Sequence, residues 1–204
     1  MGWEKSLDRN KLIVNAISSN MLPFTFDDAA KKFVQSQEKV IFTFRVWGVN
    51  PRGDICVEVF NYDKRNDEPF NTLEFDEYQG QNIVAYLPKH NGEFIHGVEV
   101  TWIEFNDDSY DYGEDRTFNH GGFECQALSK DSTGLFFTQD EVISIFKKQL
   151  WQSYHARTYV EGVNGCHAAM NELKQTTYSP KDLHEIIDAG FYAIADFLGH
   201  LDED

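Results

Sequence analysis

The chain has 204 residues, 41% hydrophobic and 15% aromatic, with three cysteines and a formal net charge of −16. That is enough apolar material for one folded domain without a metal or disulfide staple, and it excludes a disordered chain. The acidic excess argues against direct binding to nucleic acid or to an anionic membrane, because both are polyanions.

The charge is unevenly distributed. Residues 1–53 carry 8 basic and 5 acidic side chains, residues 54–141 carry 5 and 20, and residues 142–204 carry 5 and 9. The middle segment therefore holds a net −15. Cys56, Cys125 and Cys166 form no CxxC pair, and the chain has no Asn-x-Ser/Thr sequon. Both features fit a reducing compartment. The opening Met1-Gly2-Trp3-Glu4-Lys5-Ser6 lacks the apolar run of a signal peptide. It matches the short Met-Gly-x-x-x-Ser acylation pattern, which arises readily by chance. No apolar stretch reaches the ~18 residues of a membrane span. A cytoplasmic protein is expected.

In chain order, Leu7, Ile13, Val14, Ile17 and Met21 fall at helical spacing behind Ser6, and Pro23 ends that pattern. Thr25-Phe26-Asp27-Asp28 resembles a capping box with Thr25 as the cap. A second helix would then bury Phe26, Ala30, Phe33 and Val34. From Lys39 the period changes to two. Val40, Phe42, Phe44 and Val46 alternate with Ile41, Thr43, Arg45 and Trp47, and Asn50-Pro51-Arg52-Gly53 supplies a turn before Ile55, Val57 and Val59. This is a β-hairpin.

A polar loop over residues 62–69 precedes expected strands at 72–75, 83–87, 94–105 and 123–128. Val98, Val100 and Trp102 would share one strand face. Loops too short to hold crossover helices imply largely antiparallel pairing. Thr138 to Glu141 is a capping box ahead of Val142, Ile143, Phe146, Leu150 and Tyr154. Gly162 to Gly165 should break the helical pattern before a shorter helix containing Cys166, Ala169, Met170 and Leu173. Ser179-Pro180-Lys181-Asp182 starts a last helix lined by Leu183, Ile186, Ile187, Phe191, Ile194 and Leu198.

The expected fold class is α+β. It comprises N-terminal helices over residues 1–38, a largely antiparallel central sheet of five or six strands over 39–137, and C-terminal helices over 138–204. No internal repeat or linker divides the chain, so a single domain is expected.

Catalytic signatures are sparse. The chain contains no GxGxxG, P-loop, nucleophile elbow or HExxH. His120 and Cys125 lie five apart and Cys166 and His167 are adjacent, neither of which is a zinc spacing. An enzyme would need His120, Cys125, His155, Cys166 or His167 to converge in space. Cys166 at a helix start would have a lowered pKa. The pair Gly121-Gly122 reads as a hairpin turn or a point of close ligand approach. The loop from Asp107 to Asp115 resembles a calcium loop, but either starting register puts tyrosine where a ligand or glycine belongs. No cofactor or metal is expected.

Two acid-rich stretches remain. One holds Asp67, Glu68, Glu74, Asp76 and Glu77 beside Phe70, Phe75 and Tyr78; the other holds Asp107, Asp108, Tyr110, Asp111, Tyr112, Glu114 and Asp115. Carboxylates among aromatic rings suit an interface with a basic protein, since charge steers the encounter and rings anchor it. A solvated acidic face is the simpler alternative. The expectation is a non-catalytic protein that neutralises a basic partner, such as a nuclease, a toxin or a nucleic-acid-binding defence complex, by occluding its basic site with the middle acidic segment. Pushed further, spaced carboxylates on a rigid sheet can imitate a phosphate array. An assembly subunit forming a homo-oligomer is the other alternative.

Overall fold

The computed structural model describes residues 22–104, 121–150 and 156–201. The first expected helix, the loop 105–120 and Tyr154 lie outside the described residues. The class is α+β, with helices at the C-terminal end.

The elements are β1 (Thr25–Phe26), α1 (Asp28–Ser36), β2 (Val40–Val49), β3 (Ile55–Phe60), β4 (Phe75–Gln79), β5 (Ile83–Pro88), β6 (Glu99–Glu104), β7 (Gly121–Cys125), β8 (Phe137–Thr138), α2 (Gln139–Leu150), α3 (Ala156–Leu173), β9 (Thr177–Tyr178) and α4 (Pro180–Leu201). Short 3₁₀ turns lie at Phe70–Thr72 and Gly92–Ile95. The second of these turns replaces the first part of the strand expected at 94–105. The strand expected at 72–75 starts later, as β4.

The strands divide between a four-stranded sheet in the order β3-β2-β5-β4, a three-stranded sheet β1-β6-β7 and the pair β8-β9. Most pairings are antiparallel, but β2–β5 and β1–β6 are parallel. A parallel partner needs a long return path. For β5 that path is β3, then residues 61–74, which carry the chain from one edge of the sheet to the other, and then β4.

The hairpin β2–β3 forms as the sequence indicates, and Gly53 occupies the turn at φ +87°. Val40, Phe42, Phe44 and Val46 share a sheet face with Val57, Val59, Ile83 and Ala85. That face meets an aromatic cluster. Phe24 lies 4.7 Å from Phe44, Phe123 lies 4.9 Å from Phe42, and Phe33 of α1 stacks on Trp102 at 3.8 Å. The opposite face holds Thr43, Arg45, Glu58, Phe60 and Tyr86. Residues 61–74 cover it: the Lys64 amide donates to Thr43 Oγ1 at 3.1 Å and Thr43 donates to the Tyr62 carbonyl at 2.8 Å.

Arg45 is buried there. Its Nε donates to Glu58 Oε2 at 2.6 Å and its Nη1 to Ser144 Oγ of α2 at 3.0 Å. Lys148 of α2 also contacts Glu58. Burial alone would raise the Glu58 carboxyl, but the charges of Arg45 and Lys148 outweigh it and hold the group below its ordinary value.

The capping boxes of α2 and α4 are present. Thr138 N donates to Glu141 Oε2 at 2.9 Å, and Ser179 N donates to Asp182 Oδ2 at 2.9 Å. At α1 the cap is Asp27, whose carboxylate accepts from the Ala30 amide at 2.6 Å. Thr25 is instead committed to β1, where its amide reaches the Val98 carbonyl at 2.8 Å.

Gly162 and Gly165 do not break a helix; α3 runs through them. They allow α4 to approach closely. A Cβ on Gly165 would lie 2.7 Å from Ala193 Cβ and 2.8 Å from the Ala189 carbonyl. One on Gly190 would lie 2.6 Å from Cys166 Sγ.

Two stability predictions follow from this packing. Gly165→Val should lower unfolding free energy by about 3 kcal/mol through overpacking, whereas Gly199→Ala, with open space around it, should be neutral or gain up to ~1 kcal/mol. Urea midpoints read by circular dichroism check both. Glu58→Gln should cost about 3 kcal/mol at pH 7, because it strands Arg45. The folded carboxyl sits below its unfolded value of about 4.3. Its contribution is therefore complete above that pH and is lost as pH falls through the lower folded value. The gap between wild type and Glu58→Gln should narrow correspondingly in unfolding curves from pH 7 to pH 3.

Candidate functional site

The segment crossing the sheet sorts its charges. Lys64 lies 4.2 Å from the centre of the Phe60 ring, and Arg65 lies 3.7 Å above Tyr86. Arg65 also grips Asp63 through two bonds of 2.9 Å, Nε to Oδ1 and Nη2 to Oδ2. These bonds hold the Asp63 carboxyl below its ordinary range. The basic side chains of this segment are thus half-buried against sheet aromatics, while Asp67 and Glu68 are exposed.

The segment then enters β4, the edge strand of the sheet. Glu74, Asp76 and Glu77 are exposed; Phe75 and Tyr78 are half-buried. Phe75 lies parallel to Phe70, with centroids 6.4 Å apart. Glu74 accepts from Lys89 Nζ at 3.1 Å. Both partners are largely solvated, so this pair contributes little to stability. Strand alternation puts Asp76 and Tyr78 on one face and Glu77 and Gln79 on the other, and Gln79 donates to Glu77 at 2.6 Å. The first acid-rich stretch thus presents exposed carboxylates at two places, Asp67 and Glu68 on the crossing segment and Glu74, Asp76 and Glu77 at the sheet edge, with buried Phe70 between them. The second, with Asp107, Asp108, Tyr110, Asp111, Tyr112, Glu114 and Asp115, lies outside the described residues.

The residues proposed for an enzyme are differently placed. His120 and His155 lie outside the described residues. Cys125 ends β7, where burial and then the charges of Glu58 and Glu124 raise its thiol pKa. Cys166 is not at a helix start. It lies inside α3, fully buried in the seam with α4, and burial pushes its thiol up to about 12. The lowered thiol pKa expected from the sequence is therefore corrected: an apolar seam disfavours the thiolate that a helix terminus would have favoured. His167 faces Gln139, with Nε2 of the glutamine 3.3 Å from Nδ1. Gly121 and Gly122 are strand residues of β7, not a turn. A Cβ at Gly121 would strike the Trp102 ring and the Ile103 carbonyl.

Sequence reasoning passed over one titratable pair. His90 Nε2 lies 3.3 Å from Glu141 Oε2, but the same oxygen already accepts from the Thr138 amide and hydroxyl in the α2 cap. The pair joins the end of β5 to a helix start. Among the described residues no group of three or more His, Cys, Asp or Glu side chains could hold a metal ion. An open depression beside Tyr192, Ala193, Ala195 and Asp196 is lined by α4 alone. No helix among the described residues is long and apolar enough to cross a membrane.

Comparison of the chain with protein-family models, with curated proteins and with solved structures finds no match.

The cysteine environments predict slow chemistry. At pH 8, iodoacetamide should label Cys166 at least ~10³-fold more slowly in the native protein than in guanidinium, because burial suppresses both thiolate and access. Peptide mapping of a labelling time course measures this. Labelling at the unfolded rate would contradict the buried seam.

Proposed function

We propose that the chain is a non-catalytic acidic binding protein that neutralises a basic partner by covering its cationic surface. The observation that carries this reading is the sorting of charge along residues 61–79. The basic side chains Lys64 and Arg65 pack against the sheet, and the carboxylates Asp67, Glu68, Glu74, Asp76 and Glu77 are exposed. Together with the net −15 of residues 54–141, this arrangement attracts cationic surfaces over long range. A spaced carboxylate array on a rigid sheet edge also resembles the phosphates that a nucleic-acid-binding protein expects. The partner class is accordingly a nuclease, a toxin or a nucleoprotein defence complex. The setting would be cytoplasmic, where the three thiols stay reduced. The enzyme reading is less favoured, because burial keeps both Cys125 and Cys166 protonated.

Affinity capture from source-cell lysate at low salt, eluted stepwise with salt, should retain one basic protein or nucleoprotein complex in near-stoichiometric amount. The variant Glu74→Lys/Asp76→Lys/Glu77→Lys should bind that partner ~100-fold more weakly and with a shallower salt dependence. Charge reversal at Asp107, Asp108 and Asp111 should act in the same direction. Unchanged affinity in both variants overturns the reading.

A further inference from the structure

We propose that the outer edge of β4 is a docking strand. An extended basic segment of the partner would add to it as a fifth strand of the sheet β3-β2-β5-β4. The inference rests on the binding-protein reading above and specifies how such a partner would be held.

The phase of the β4–β5 ladder shows which backbone groups face outward. The Lys89 amide donates to the Glu74 carbonyl at 2.8 Å, and the Gly80 amide donates to the Ile83 carbonyl at 2.9 Å. The register pairs Asp76 with Leu87 and Tyr78 with Ala85. In an antiparallel ladder hydrogen-bonded pairs alternate with non-bonded ones. Residues 74, 76, 78 and 80 therefore direct their amides and carbonyls toward β5. Phe75, Glu77 and Gln79 direct theirs away from the sheet. Pro88 stands opposite Phe75, a position not bonded to β4, so its missing N–H leaves the β4–β5 ladder intact.

Among the described residues no strand pairs with that outer side. The other edge of the sheet is covered at its start, where Ile55 and Leu128 exchange two backbone bonds of 2.8 Å. The open edge thus presents three amides and three carbonyls in strand geometry. This is the arrangement that strand addition uses.

The side chains select the occupant. A second copy of β4 laid antiparallel on the first would bring the Asp76 and Glu77 carboxylates of both chains together, and like charges across a strand pair destabilise it. Such charges protect an edge against self-pairing. For a strand carrying Lys or Arg they act in reverse. Asp76 on one face and Glu77 on the other give a cationic strand a counter-ion whichever face its basic residues occupy. Half-buried Phe75 and Tyr78 supply apolar contact between them.

The test uses the full ¹⁵N-labelled chain and an eight-residue capped peptide of alternating lysine and valine, with a glutamate–valine peptide as control. Near saturation with the lysine peptide, the amides of Phe75, Glu77 and Gln79 should shift and exchange with solvent at least ~10-fold more slowly. Those of Asp76 and Tyr78, already bonded to β5, should keep their rates. The variant Gln79→Pro removes one outward backbone donor without altering charge or any ladder bond, and Gln79→Ala, which loses only the side-chain bond to Glu77, is the reference against which it is read. The proline variant should weaken peptide binding about 5- to 10-fold while the remaining amide dispersion shows the fold intact.

Four outcomes overturn the proposal: no binding, protection without the alternating pattern, full affinity in Gln79→Pro, or self-association through β4. If Asp76→Asn/Glu77→Gln abolishes binding and Gln79→Pro does not, the edge acts by charge alone. Strand addition then fails while the acidic-binder reading stands. If the lysate partner is also indifferent to Glu74→Lys/Asp76→Lys/Glu77→Lys and to charge reversal at Asp107, Asp108 and Asp111, both readings fail.

Discussion

Arg45 sits in the middle of β2 with only 6% of its surface exposed, and a guanidinium cannot shed its proton to escape that burial. The surroundings must therefore supply a negative charge and acceptors. Glu58 comes from the facing strand, Ser144 from α2, and the rings of Phe60 and Phe70 lie 5.6 and 5.5 Å from the guanidinium carbon. Those four partners belong to the hairpin, the crossing segment and the first C-terminal helix. One buried charge thus ties together three parts of the chain that no local signal connects. Lys148 adds a second cation to Glu58 from the solvent side, using acceptor capacity that a carboxylate facing a single cation still has.

This arrangement separates the acidic residues into two populations. Glu58, Glu141 and Asp182 are committed to the fold, one to a buried cation and two to helix caps. Asp67, Glu68, Glu74, Asp76 and Glu77 are exposed, and the cations nearest them in sequence, Lys64 and Arg65, lie against rings of the sheet. A net charge of −16 would by itself describe only a soluble, self-repelling chain. The sorting leaves exposed carboxylates on the crossing segment and along one sheet edge, where Lys89 pairs with Glu74.

The helical hairpin α3–α4 illustrates another effect of packing. Glycines that read as helix breakers serve instead as contact points, because an absent Cβ allows the two backbones to approach. Cys166 fills the same seam opposite Gly190. A thiol there behaves as a small apolar side chain, and the residue that looked most like a nucleophile becomes core.

Several features were legible in the sequence because they are local. The period-two run from Val40, the turn at Asn50 to Gly53, and the caps at Thr138 and Ser179 each depend on residues within a few positions of one another. The acidic excess of residues 54–141 was legible as composition alone. Tertiary structure decided the rest. It paired Thr43 with Tyr86 in a parallel ladder, covered the second sheet face with residues 61–74, and left β4 at the edge with Glu77 directed outward. None of these has a local period. Each depends on which of several similar strands meets which, and in what phase, and only the joint burial of side chains far apart in the chain determines that choice.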